Sequence, residues 1–309
     1  MDDGSENAMR IIDAWVNADL PREPVVWQKE VAEKLFKKSV DFVFRKFFVE
    51  ELINDMDDVC IEKAILTLHA DRPSKSLLGY AEKHPDRFAF SAIVDPRRGM
   101  AAVRQLEAIV RSHDVRLARV IPSLCNAAPD DRIYYPIYAK CIDLGLPISI
   151  NTGIPGPLLP GKCQDPMSLD DVCLFFPELQ IVMANGADPW WDVAIRLMAK
   201  YPNLYLMTSG YAPKYLPQSL ITFMNSRGQN KVMFASDFPF LAMRRCSAEA
   251  QRLDFREGIL EKYLYENAAR VLFGAMEVET PSTDLQPDRP QEADASTLSL
   301  SSTNCPRPQ

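Results

Sequence analysis

Eight short apolar runs alternate with stretches of helical periodicity along most of this chain, and that alternation constrains the fold more than any other feature. The runs lie at 11–16, 64–68, 88–94, 117–121, 147–150, 179–183, 204–207 and 232–235. Each is nearly continuous in Val, Ile, Leu, Phe, Met and Ala, the pattern of a parallel strand buried on both faces. Between them, 74–83, 100–112, 133–144, 169–176, 191–200 and 215–225 carry apolar residues at helical spacing, and 256–273 holds closing helices. Proline and glycine punctuate the units: Pro96 follows the third run, Pro122 the fourth, and Gly145 fits a helix C-terminal stop. Eight such units predict a single (β/α)₈ barrel. A doubly wound sheet would carry a glycine-rich phosphate turn after its first strand. Here that position reads Asn17, Ala18, Asp19, Leu20.

Two segments fall outside the repeat. Residues 25–55 carry Val31, Leu35, Phe42 and Phe47 among Lys and Glu, which predicts a helical insertion of one or two helices after the first strand. On the catalytic face of a barrel it would serve as a lid or a dimer surface. Residues 275–309 turn to Pro, Ser, Thr, Asp and Gln, the composition of a disordered tail, and residues 1–10 read as a flexible N-terminus. The barrel is expected over 11–274.

Composition bounds the partners. The net charge of -7 argues against nucleic acid, which needs a basic face. No apolar run approaches the roughly 20 residues that span a bilayer, so no membrane association is expected. Seven cysteines without CxxC spacing read as reduced thiols of a cytoplasmic protein.

The stretch KVMFASDFPF, Lys231 to Phe240, reads as a buried strand followed by a carboxylate, Asp237, with Pro239 just beyond. Barrel enzymes keep their chemistry at the C-terminal ends of the strands. Those ends here are Trp15 and Asn17, His69, Arg119, Asn151, Asn185, Ser209 and Asp237. Asp237 is the candidate catalytic acid/base, its pKa raised by desolvation. Asn151 and Asn185 are candidate amide donors to a substrate carbonyl or carboxylate, with mutual satisfaction as the structural alternative. Arg119 shares a strand face with Leu117 and Ile121, and is a candidate for an anionic substrate group or for an ion pair with Asp13 or Asp237. Trp15 offers a stacking surface, and His69 a proton-transfer group. His84 and His113 fall near helix ends away from this face.

The motifs IIDAWVN at the start, INTGIPGP from Ile150, VMANGADPWW from Val182, KVMFASDFPF and YENAARVLFG from Tyr265 resemble the amidohydrolase superfamily. Within it the chain is most similar to the amidohydrolase-related branch of amino-carboxymuconate-semialdehyde decarboxylase and the resorcylate-type decarboxylases. The resemblance runs from Ile11 to Gly274. It implies a hydrolase or non-oxidative decarboxylase acting on a small carboxylated compound, with a homodimer common in the group. It also implies a divalent metal such as zinc, held by two histidines after the first strand, by one at the fifth strand end and by the eighth-strand Asp, with a sixth-strand histidine that helps activate water or polarise the substrate. At those five positions stand Trp15, Asn17, Asn151, Asn185 and Asp237, so only the carboxylate keeps the family type. A neutral carboxamide is a poor zinc ligand and an indole is none. The expectation is therefore no metal cofactor: a metal-independent enzyme acting on a small-molecule substrate, or a catalytically inactive barrel that binds a ligand or protein.

Overall fold

A computed structural model describes residues 9–274. The residues expected to form the disordered tail, and 1–8 of the expected flexible N-terminus, lie outside the described residues. Eight strands form one sheet in sequential order: β1 (Ile11–Val16), β2 (Ile61–His69), β3 (Phe88–Ile93), β4 (Val115–Val120), β5 (Ile148–Asn151), β6 (Ile181–Ala184), β7 (Leu204–Met207) and β8 (Val232–Met233). Every neighbouring pair from β1 to β8 is parallel.

β8 is shorter than its sequence pattern, because its continuation pairs with partners other than β7. The Phe234 N–H donates to Tyr263 at 3.0 Å, while the Phe234 carbonyl accepts from Ala14 at 3.2 Å. A parallel bridge joins Val16 to Phe238, and the Asn17 N–H donates to the Phe238 carbonyl at 2.8 Å. These contacts bring the first and last strands together, and the fold is the (β/α)₈ barrel that the alternation predicts.

The core has two layers. An inner cluster includes Ile12, Ile65, Ala89, Leu117, Val182, Tyr205, Met207 and Met233, and the helix Asn267–Phe273 packs against it through Ala268 and Leu272. Asn267 and Arg270 on this helix bond backbone carbonyls of Gln229, Asn230 and Val232, at the N-terminal end of β8. The helix therefore packs at the end away from the strand C-termini. The outer layer lies between strands and helices, such as Met100–Ser112 and Trp191–Lys200.

The insertion breaks into four pieces instead of one or two helices: Val26–Glu30, the π-helical Val31–Leu35, Val40–Val43 and Val49–Asp57. Its aromatics grip the segment that carries Asp237. Phe36 and Phe44 pack on Phe240 at centroid distances of 5.1 and 6.4 Å, and Phe47 on Phe238 at 4.8 Å. The insertion also meets the loop after β5, since a Cβ at Gly156 would come within 2.3 Å of Leu35 Cδ2. It thus reaches from the β8 side of the mouth to the β5 side. No helix among the described residues is long and apolar enough to cross a membrane.

Candidate active site

Asp237 follows β8 in the left-handed region, at φ 62, and is 7% exposed. Non-glycine residues avoid this conformation, so it is held by its surroundings. The Asp237 N–H donates to the Trp15 carbonyl at 3.1 Å, and Asn17 Nδ2 donates to Asp237 Oδ1 at 2.8 Å. Burial pushes the carboxyl up to about 7; the Asn17 hydrogen bond and the Arg119 charge oppose this, and Asp13 adds to it.

Asn17 is engaged at both ends of its amide, because its Oδ1 accepts from Trp15 Nε1 at 3.0 Å. Trp15, Asn17 and Asp237 therefore form one chain of hydrogen bonds across the β1–β8 seam. Below it, the Arg119 guanidinium lies over the Trp15 ring, 3.1 Å from the centroid, and Arg119 Nη1 donates to Thr67 Oγ1 at 3.2 Å. Both contacts place the Arg119 side chain inside the barrel, as its strand parity predicts. Burial pulls Arg119 down to about 9, and Asp237 counters that shift. Arg119 Nε and Nη2 have no hydrogen-bond partner among the described residues, so the alternative reading of Arg119, an ion pair with Asp13 or Asp237, is not formed.

Asn151 ends β5, 6% exposed, with its Oδ1 unpartnered among the described residues. Asn185 follows β6 at φ 63. Its Oδ1 accepts from Ser209 Oγ at 2.9 Å, and its N–H donates to the same hydroxyl at 3.0 Å. The two asparagines do not satisfy each other, because Ser209 from the β7 end takes that role for Asn185. His69 is the last residue of β2, not a residue beyond it. It lies two positions after Thr67 and shares its barrel-facing side. Burial lowers its pKa, with Arg72 adding to the shift.

Sequence reasoning named Asp13 only as a motif position and an ion-pair alternative. The carboxylate is fully buried and accepts from the N–H groups of Ser236 at 2.9 Å and Trp15 at 3.2 Å, and from the Ser236 hydroxyl. Burial pushes it up to about 6 against those bonds. Thr67, Ser91 and Ser149 were also missed. Their signal was present as single hydroxyl residues inside otherwise apolar strands.

A hydrogen-bonded carboxylate and a buried guanidinium at the C-terminal mouth of a (β/α)₈ barrel define the architecture of a barrel enzyme. The model of the family described as Amidohydrolase matches residues 33–274, and the chain belongs to that family. No curated protein matches the sequence. Among solved structures, an uncharacterised TIM-barrel protein from Bordetella bronchiseptica is 22% identical with a TM-score of 0.70, over 86% of this chain and 99% of that one. 5-Carboxyvanillate decarboxylase from Sphingomonas paucimobilis is 15% identical with a TM-score of 0.67, over 86% and 99%. The 5-carboxyvanillate decarboxylase from Novosphingobium aromaticivorans, in complex with manganese and 4-hydroxy-3-methoxy-5-nitrobenzoic acid, is 18% identical with a TM-score of 0.65, over 87% and 97%. At these identities the likeness establishes the shared fold.

Three of the five family positions offer such a metal no free donor, while Asp237 and the unpartnered Asn151 Oδ1 are the oxygen donors that remain. Trp15 has no lone pair to give, Asn17 is committed at both ends, Asn185 Oδ1 is taken by Ser209, and a guanidinium lies within the same site. Among the described residues no three His, Cys, Asp or Glu side chains are grouped as a metal site would require.

Proposed function

We propose that this amidohydrolase-family barrel is a metal-independent hydrolase or non-oxidative decarboxylase of small carboxylated compounds, with Asp237 as its proton-transfer group. The observation that carries this is the position of the Asp237 carboxyl, buried at the barrel mouth and held by Asn17, where desolvation pushes its pKa up to about 7. A group poised at the working pH is suited to both giving and taking a proton. In decarboxylation the C–C bond breaks, carbon dioxide leaves, and the electron pair left on carbon takes the proton of the Asp237 carboxyl. In hydrolysis the Asp237 carboxylate takes a proton from the water that attacks the carbonyl, and as the tetrahedral intermediate breaks its bond to the leaving group the Asp237 carboxyl gives that proton to it. Arg119 binds the anionic end of the substrate, Asn151 and Asn185 orient it, Trp15 and Asn17 position Asp237, and His69 lines the approach. The insertion is the lid, since its aromatics and Leu35 reach both sides of the mouth.

The test is a screen of carboxylated aromatics with the purified full-length protein, joined to elemental mass spectrometry. Turnover that persists in chelator and falls at least about a hundredfold in Asp237→Asn is the expected result. Near-stoichiometric manganese or zinc that disappears in Asp237→Ala would overturn metal independence.

A second reading, a ligand-binding barrel without catalysis, draws on the depth of the site: Trp15 is 6% exposed and Arg119 is fully buried. It predicts ligand binding that Asp237→Asn leaves intact, with no turnover in the parent protein.

A further inference from the structure

Arg119 carries its charge into the barrel with no anion hydrogen-bonded to it, although the Asp237 charge acts on it from nearby. It is fully buried, one nitrogen donates to Thr67, and Nε and Nη2 have no partner among the described residues. A buried charge is tolerated only where it is paired and hydrogen-bonded. The carboxylates of the site are committed to other donors, Asp237 to Asn17 and Asp13 to Ser236.

Three more unpartnered polar atoms belong to the same wall: Ser149 Oγ, Ser91 Oγ and Asn151 Oδ1. Ser149 is the register partner of Arg119 on β5, so both side chains project to the interior from strands about 4.8 Å apart. Asn151 follows Ser149 by two positions and shares that side. Ser91 is the register partner of Thr67, whose hydroxyl holds the guanidinium. Around Arg119 the wall therefore gathers a forked pair of free N–H donors with one free hydroxyl, Ser149, at its own register level, a second hydroxyl one inward-facing position lower, where Ser91 pairs with Leu117, and the Asn151 carboxamide oxygen one such position higher.

We propose that this wall is a preformed site for a single planar carboxylate-type oxyanion, bound inside the barrel beside the Arg119–Trp15 stack. Nε and Nη2 of a guanidinium match the two oxygens of such an anion in the bidentate geometry that a point charge or a spherical ion does not satisfy. The serine hydroxyls donate to the remaining lone pairs. Asn151 Oδ1 accepts from any hydroxyl the guest carries. This deepens the reading above and rests on it only in giving Arg119 the anion. The same chemistry belongs to the carboxylate of an organic substrate and to free bicarbonate.

The experiment is a titration of the full-length protein with sodium formate, bicarbonate and benzoate, against sodium chloride at equal ionic strength. It is read by calorimetry and by tryptophan fluorescence, with Trp15→Phe assigning the optical signal. Saturable one-to-one formate binding is expected, with chloride inert. Affinity should fall about tenfold in Ser149→Ala, which removes one charge-assisted hydrogen bond. Arg119→Lys should weaken it more, by keeping the charge and losing the fork, which serves should Arg119→Met not fold. Benzoate binding at the same site would assign it to a substrate carboxylate; bicarbonate binding without benzoate would assign it to the free anion. A flat formate titration, or equal affinity in the Ser149 and Arg119 variants, would remove the site. Loss of turnover in Asp237→Asn beside a flat formate titration would retain the catalytic reading and discard this one. Saturable formate binding beside an active Asp237→Asn would do the reverse.

Discussion

The Arg119 guanidinium carbon lies 3.1 Å from the centroid of the Trp15 ring, so a cation from β4 rests on an aromatic face from β1 in the middle of the barrel. A desolvated cation–π contact of this kind is worth about 2 kcal/mol. A double-mutant cycle with Arg119→Met and Trp15→Leu, measured by urea unfolding, should return a coupling of about 1–2 kcal/mol. Strict additivity of the two single losses would show that the stack contributes nothing specific.

The pH dependence of stability follows from Asp237 and Asp13. Both have folded pKa values above the ordinary carboxylate range, about 7 and about 6. Between pH 4 and the folded values the native state binds more protons than the unfolded chain. Their contribution is therefore complete below about pH 4 and is lost as pH rises toward 7. Asp237→Asn should flatten this slope, gaining on the order of 2–4 kcal/mol relative to the parent at pH 8 but little at pH 4. Unfolding curves at the two pH values give the comparison; parallel profiles for parent and variant would contradict it.

The Asn17 amide holds the Asp237 carboxylate down by donating to it. Asn17→Ala should raise the Asp237 pKa further, since a hydrogen bond to the charged form favours that form. Carbon-13 NMR of labelled aspartate carboxyls reads this directly, and a titration midpoint that stays put would show the bond to be energetically idle.

Gly186 follows Asn185 at φ 67, and a Cβ there would meet Trp191 Cη2 at 2.6 Å and the Tyr211 ring at 2.8 Å. Gly186→Ala should destabilise the fold by about 2–4 kcal/mol, through left-handed backbone and overpacking together. It should also shift Trp191 emission. A loss under about 0.5 kcal/mol would mean that the two rings yield easily.

The barrel was legible because each unit carries its own signals: apolar runs of strand length, helical spacing between them, and prolines near the breaks. The strand ends also located Asp237, Asn17 and Asn151 at one end of the barrel, because that position is set by topology. Pairings that cross the barrel were not legible. Asp13 meets Ser236 over 223 positions, and only closure of β1 on β8 brings them together. Parity put Arg119 on one strand face with Leu117, but strand periodicity says nothing of which ring it will lie upon. The insertion shows helical spacing in sequence, yet the demands of packing Phe36, Phe44 and Phe47 against Phe238 and Phe240 divide it into four pieces.

The seam between Val16 and Phe238 joins segments 222 positions apart, as the bridge and the flanking bonds show. A ribosome delivers the aromatic face and its amide neighbour well before the acid, which follows Asn17 by 220 positions. No nascent fragment shorter than the eighth unit holds the hydrogen-bonded chain from Trp15 to Asp237. The chain thus completes this hydrogen-bonded centre only when the eighth unit joins the first, whereas the Trp15–Asn17 bond and the Arg119–Trp15 stack need no residue beyond 119.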